Sequence, residues 1–106
     1  MKGLVVLGTL LALLAFPLIV EAADTTVEVG HNRLEPAEIT IGIGAKVAFH
    51  NQDEMPGGHT IVADDGSFES PPLAKDDSWS REFTEPGTYK YHIKEHPDAK
   101  GKIIVK

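Results

Sequence analysis

The sequence predicts an all-β fold, an antiparallel β-sandwich with Greek-key connections. Seven or so short runs with alternating apolar and polar residues follow the N-terminal segment, and clusters of Gly, Pro, Asp and Asn separate them. Beyond that segment, no window of about 10 to 12 residues repeats its apolar positions with the 3.6-residue period of a helix. Short strands separated by turn signals are typical of two packed sheets, so we expect one sandwich domain.

Residues 1–22 have the layout of a secretory signal. A basic start precedes an apolar run over residues 4–20, and Val20 and Ala22 are small residues at the cleavage-site positions. We therefore predict a signal peptide over 1–22, a domain over 23–106, and a periplasmic or secreted protein. An uncleaved membrane anchor is the alternative, because the run is at the lower limit for a span. No basic stop-transfer cluster follows it, which favours cleavage and no stable membrane insertion afterwards.

Alternation predicts the strands and their buried faces. In the second and third runs the inward positions are isoleucine, valine and phenylalanine, and in the penultimate strand they are tyrosine and isoleucine. The consecutive prolines Pro71 and Pro72 mark an irregular segment, because proline cannot donate to a ladder. Residues 95–101 are mostly polar and contain Pro97, so we expect a loop there. The predicted strands are Thr25–Val29, Ile39–Ile41, Val47–Phe49, His59–Val62, Trp79–Phe83, Tyr89–Lys94 and Lys102–Val105.

Composition excludes several classes of function. The formal net charge is −6 and there is no basic stripe to neutralise phosphates, which argues against nucleic-acid binding. The chain has no cysteine, so it has neither disulfides nor a thiolate that could act as a nucleophile or metal ligand. Nothing resembles a nucleophile–base pair or a pair of catalytic carboxylates, and we expect no enzyme activity.

The chain has five histidines, and imidazole is the commonest metal ligand among side chains. Alternation places His92 on the outward face beside two lysines, and His50 on the outward face of its own strand. His31 lies in an irregular segment, and its role stays open. His59 starts a strand after a Gly-Gly loop, and His96 follows the penultimate strand, which are places where side chains could converge on a ligand.

The segment Gly87–Gly101 resembles the pattern GTYxYHCxxHPxMxG, and Met55–His59 resembles MPH with two glycines inserted. These are motifs of the cupredoxins, the small blue-copper proteins, and of their amicyanin and plastocyanin-like members. The resemblance covers Val27–Val105 and implies the same sandwich. It implies that His59 and His96 meet at one end as copper ligands.

Two departures from that pattern change the expected metal chemistry. Ile93 stands where the family has its ligand Cys, and Ala99 stands where it has the axial Met. A blue-copper centre needs the thiolate, so we expect an open, non-blue copper site. Replacement ligands left open by the sequence are Glu95 and Asp98, which would make an N/O site, and Met55, which would make a softer one. Asn51 corresponds to a family residue that joins the two ligand loops, and it is expected to support the site together with Ile93.

The sequence thus predicts an exported copper-binding protein that handles copper through His59 and His96. Two alternatives remain, a small electron-transfer cupredoxin and a metal-free interaction module with the same fold. The expected partners are a metal ion and a periplasmic redox or copper-handling protein.

Overall fold

The computed structural model describes residues 24–106, which form eight β-strands. The predicted signal peptide, residues 1–22, lies outside this range. No helix within residues 24–106 is long and apolar enough to cross a membrane. The strands are β1 Thr25–Val29, β2 Leu34–Glu35, β3 Glu38–Ile41, β4 Lys46–Asn51, β5 Ile61–Ala63, β6 Ser78–Glu82, β7 Gly87–Ile93 and β8 His96–Val105.

The strands form two four-stranded sheets, in the orders β2-β1-β4-β6 and β3-β8-β7-β5. The predicted all-β sandwich is therefore confirmed. The sheets are mixed, because β1 runs parallel to β4 and β3 runs parallel to β8. Parallel neighbours need a crossover connection, and both pairs join strands that are not consecutive in the chain.

The last strand is longer than the sequence predicts. β8 begins at His96, which pairs with Ile93 across a two-residue turn, but the register shifts at once, because the neighbouring pair is His92 with Lys100. Residues 97–99 therefore bulge out of the ladder within β8, in the segment expected to be a loop. Pro97 is tolerated because it lies in this bulge, where no ladder hydrogen bond has to be donated. A second difference is β2, a short strand paired with β1 in a segment expected to be irregular.

The core lies between the two sheets, and its faces follow the predicted alternation. Phe49 is fully buried and contacts the rings of Trp79 and Tyr91, while His50 faces outward. In β7, Tyr91 and Ile93 are buried and His92 lies on the other face. The buried apolar residues are Val27, Val29, Leu34, Ile41, Val47, Phe49, Ile61, Ala63, Phe68, Leu73, Phe83, Tyr91, Ile93, Ala99, Ile103 and Val105.

Gly101 fits under the ring of Tyr91, its direct partner across β7 and β8. A Cβ atom at Gly101 would overlap the aromatic carbons of Tyr91. Burial raises the pKa of the Tyr91 phenol, whose hydroxyl has no hydrogen-bond partner within residues 24–106. The ring therefore fills the core as an apolar group and requires a residue without a side chain opposite it.

We expect Gly101→Ala to lower the free energy of unfolding by about 1–3 kcal/mol, the usual cost of forcing extra atoms into a packed core. Gly42→Ala is the matched control, because a Cβ there meets nothing within 4 Å. It should be neutral or slightly stabilising, since alanine restricts the unfolded chain more than glycine does. Urea unfolding of both variants tests this. Equal stability of the two would contradict the packing described for Tyr91.

Candidate metal site

Three histidine rings converge at one end of the sandwich. His31 follows β1, His59 precedes β5 and His96 begins β8. The centre of the His96 ring is 4.8 Å from that of His31 and 5.2 Å from that of His59. The structure thus brings together the two sequence-predicted ligands and adds His31, whose role the sequence left open.

The other two histidines lie outside this cluster, as alternation predicts. Nδ1 of His92 is 2.7 Å from a carboxylate oxygen of Asp64. Nδ1 of His50 is 2.7 Å from a carboxylate oxygen of Glu28, and this hydrogen bond raises the pKa of His50. Each ring is thus engaged by a surface carboxylate on the outer face of its sheet.

The backbone of Leu73 holds His59 in place. The His59 amide donates to the Leu73 carbonyl at 3.0 Å, and the Leu73 amide donates to the His59 carbonyl at 2.8 Å. The buried side chain of Asn51 donates from Nδ2 to the same Leu73 carbonyl at 2.8 Å. Asn51 therefore supports the His59 segment through Leu73. The sequence predicted that the Asn51 side chain would link the His59 and His96 segments, and it does not bond to the His96 segment.

Thr60 and Glu95 supply that link between the two histidine-bearing segments. The amide and hydroxyl of Thr60 donate to the two carboxylate oxygens of Glu95 at 2.7 and 2.8 Å, and the Lys94 amide donates to the Thr60 carbonyl at 2.8 Å. Partial burial opposes ionisation of Glu95, but the bonds from Thr60 outweigh it and lower the pKa of this carboxyl. Both oxygens of Glu95 accept hydrogen bonds from Thr60, so this side chain holds the segment of His59 against that of His96.

Asp53 is a residue of the site that the sequence does not predict. It is buried, and its Oδ2 atom is 2.8 Å from Nε2 of His59 and 3.1 Å from Nδ1 of His31. Its Oδ1 atom accepts a hydrogen bond from the Met55 amide at 3.0 Å. The bond from Met55, followed by that from His59, lowers the pKa of Asp53 to about 2. Asp53 is therefore a carboxylate at neutral pH and can only accept from the two rings.

This carboxylate fixes the tautomer of His59. Since an ionised carboxylate has no proton to donate, the proton must lie on Nε2, which leaves the lone pair of the neutral ring on Nδ1. Nδ1 of His59 is buried and has no hydrogen-bond partner within residues 24–106. A buried polar atom without a partner is rare and requires an explanation. An imidazole lone pair held in place from behind by a carboxylate is the usual arrangement of a histidine metal ligand.

The acid stability of the protein should depend on Asp53. Its pKa is lowered from 3.8 to about 2 in the folded state, so the unfolded chain takes up the proton first as pH falls. The contribution of Asp53 is complete above about pH 4 and is lost on the way to about pH 2. We expect Asp53→Asn to be less stable than the wild type at neutral pH, with a difference that shrinks over this interval. Urea unfolding at several pH values measures it, with Glu54→Gln at an exposed neighbour as control, and a constant difference would contradict this role.

The donor set fits an ion held by imidazoles but does not fit a blue-copper centre. Two imidazoles whose nitrogens lie about 2.0–2.1 Å from one ion have ring centres roughly 4.5–6.5 Å apart, and the observed distances fall in this range. Ile93 and Ala99 are buried, and their side chains offer no donor atom. Met55 is 55% exposed and Asp98 is exposed. Within residues 24–106, no three His, Asp or Glu side chains are already arranged to hold an ion.

Comparison with known proteins extends the similarity over most of the chain. The family model described as a cupredoxin-like domain matches residues 3–105. Amicyanin of Paracoccus denitrificans is 32% identical over 90 residues, which cover 80% of this chain and 69% of that protein. Amicyanin-alpha of Methylorubrum extorquens is 30% identical over 87 residues, which cover 79% of this chain and 73% of that protein.

Solved structures are similar over the same region. The reduced Cu(I) form of an amicyanin mutant has a TM-score of 0.70 and 29% identity, and the match covers 85% of this chain and 88% of that one. An oxidised amicyanin mutant gives a TM-score of 0.69 with 29% identity over the same shares. A purple cupredoxin from Nitrosopumilus maritimus has a TM-score of 0.70 and 27% identity, covering 78% of this chain and 100% of that one. The two sheets are therefore arranged as in these proteins.

Proposed function

Because this chain belongs to the cupredoxin-like family, we propose that it is an exported copper-binding protein that handles copper in an open, non-blue site. His59 and His96 are the ligands in this proposal. The observation that carries it is the buried Nδ1 atom of His59, which has no partner and belongs to a ring 5.2 Å from that of His96. Asp53 supports the proposal by holding the ring from its other nitrogen.

Copper is favoured over other ions by the similar structures, one of which is a Cu(I) form. Imidazole suits copper as well as zinc, and bound copper would supply a one-electron couple. The chain contains no cysteine, so no thiolate–copper bond can form and the intense colour of a blue site is excluded. A site of imidazoles and water suits uptake and release, since few bonds must break when the ion leaves.

Electron transfer is the second candidate. The similar amicyanin structures include both oxidised and reduced Cu(I) forms, which favours a redox role for the fold. Against it, Ile93 and Ala99 remove the soft ligands that tune the copper potential in this fold. Reversible one-electron cycling with a periplasmic redox protein would support this candidate, and copper transfer to a copper-handling protein would support the first.

Export follows from the N-terminal segment in this proposal. Residues 1–22 act as a signal peptide, and a domain over residues 23–106 functions in the periplasm or outside the cell. The intact mass of the protein recovered from the exported fraction tests this. A mass that includes residues 1–22, found with the membranes, would instead mean an anchor.

Copper stoichiometry tests the proposed function. We expect the purified protein to bind one Cu(II) per chain in competition with a chelator, and we expect that copper to follow the protein through gel filtration. Failure to bind copper above the level of a histidine-free control peptide would favour the metal-free interaction module.

A further inference from the structure

The outer face of the sheet β3-β8-β7-β5 carries a group of lysines. Outward positions on β7 alternate with the inward tyrosines, and their partners across β8 also point outward. None of these outward residues is a carboxylate. They are Thr88, Lys90, His92, Lys100, Lys102 and Ile104. We call Lys90, Lys100 and Lys102 the lysine face. It is a local excess of positive charge on a protein whose formal net charge is −6.

Two of these lysines face each other across the sheet. Lys90 and Lys102 are direct partners on β7 and β8, and Lys100 lies at the next outward position of β8. Like charges directly opposite each other on neighbouring strands destabilise a sheet. Lys102 has a partner, because its Nζ atom is 3.7 Å from a carboxylate oxygen of Glu38. The side chains of Lys90 and Lys100 have no ion-pair or hydrogen-bond partner within residues 24–106.

The other carboxylates that border the lysine face are engaged elsewhere. Oδ1 of Asp64 is 2.7 Å from Nδ1 of His92. Oδ1 of Asp65 accepts a hydrogen bond from the Ser67 amide at 2.8 Å. Neutralisation of Lys90 and Lys100 is therefore left to ions in the solvent or to the carboxylates of another molecule.

An open cleft of about 270 Å³ lies on this face. The three lysines line it together with Tyr91 and Gly101, the inward residues between them. Because the Tyr91 side chain is buried in the core and Gly101 has none, the lysine side chains stand above bare strand backbone. Glu38 and Asp64 also line the cleft, and both are paired as described. The cleft thus offers unpaired ammonium groups and room for acidic side chains from another surface.

The opposite outer face of the sandwich has the opposite charge. On the sheet β2-β1-β4-β6, Glu28 lies directly across from Glu35, and Glu82 lies across from the single lysine of that face, Lys46. Charges separated in this way orient an approaching charged surface within the Debye length, about 8 Å in physiological salt. An acidic surface would therefore be directed to the lysine face, although the protein as a whole is acidic.

We propose that the lysine face is a docking surface for the acidic surface of a partner protein. Carboxylates of that partner enter the cleft and lie between Lys90 and Lys102, which removes the repulsion across the two strands. A second copy of this chain is a weaker candidate, since two molecules that each carry a charge of −6 repel each other. The proposal does not depend on copper, so it and the proposed function can fail separately.

NMR of the isotope-labelled protein, titrated with a hexaglutamate peptide at low ionic strength, tests the proposal. We expect amide shifts concentrated on β7 and β8 around the lysine face, and their loss at high salt. Lys90→Gln with Lys100→Gln should weaken peptide binding at least about threefold, because each exposed ion pair contributes a modest amount. Lys75→Gln with Lys106→Gln is the matched control, since it removes the same charge from exposed lysines elsewhere and should change binding less.

Three results would overturn the proposal. Shifts spread over the whole surface, or equal weakening in the two double variants, would mean that the lysine face is an ordinary solvated surface. Self-association in sedimentation velocity that Lys90→Gln with Lys100→Gln abolishes would assign the face to a second copy. The titration is run without copper, so the copper result has no bearing on it.

Discussion

The double variant Ile93→Cys with Ala99→Met should turn a nearly colourless copper protein into an intensely coloured one. Residues 93 and 99 are the buried positions at which the family pattern places Cys and Met. Ile93 pairs with His96 across the hairpin turn. A thiolate at position 93 would therefore lie next to the imidazoles, and a thiolate with two imidazoles is the donor set of a blue site.

Single variants separate the contributions to this result. Ile93→Cys alone should give a coloured thiolate site with weaker axial bonding, and Ala99→Met alone should give no thiolate band. Shortening Ile93 removes buried methyl groups, which should lower the free energy of unfolding by on the order of 1–2 kcal/mol. A folded, copper-loaded double variant without a thiolate charge-transfer band would mean that residue 93 and the histidines do not share one ion.

His59→Ala should cause the largest loss of copper affinity among single substitutions. His59 is the buried ring of the cluster, and its Nδ1 atom is the only buried side-chain nitrogen within residues 24–106 that lacks a partner. Loss of a residue behind a metal ligand costs roughly 10–100-fold in affinity, and loss of the ligand itself should exceed that. Chelator competition at fixed pH measures the difference.

His92→Ala is the control for that substitution. His92 is bonded to Asp64 on the outer face of its sheet, so its removal should leave copper affinity unchanged. Circular dichroism of both variants checks that the sandwich persists. Similar losses in His59→Ala and His92→Ala would contradict the assignment of the two faces of the sheet.

The fold could be read from the sequence because alternation identifies which residues of a strand face the core. Phe49 and His50 are sorted by this rule alone, and so are Tyr91 and His92. Strand neighbours cannot be read in the same way, since alternation says nothing about which strand lies alongside. The parallel pairs therefore came only from the structure. The start of β8 is not evident from the sequence, because Pro97 indicates a loop and only the pairing shows that it lies in a bulge.

The site was less accessible to sequence reasoning. Only the family resemblance suggests that His59 and His96 meet, because the two are separated by 37 positions along the chain. Asp53 was missed because a carboxylate in a polar loop resembles any solvated charge. Its burial arises from the convergence of His31 and His59, which no local pattern records. The one available signal is the spacing of Asp53 two residues after Asn51, because an Asn side chain commonly accepts from the amide two residues on, as Asn51 Oδ1 does from Asp53 at 2.9 Å.

The central claim is that an ion is held at this end of the sandwich by imidazoles without a thiolate. Continuous-wave EPR and visible absorption of the purified protein loaded with one Cu(II) per chain test it most directly. We predict a type 2 spectrum with nitrogen hyperfine splitting from histidine, weak visible absorption, and loss of that splitting in His59→Ala. An intense band like that of a blue-copper protein, or a Cu(II) spectrum that His59→Ala and His96→Ala leave unchanged, would contradict it.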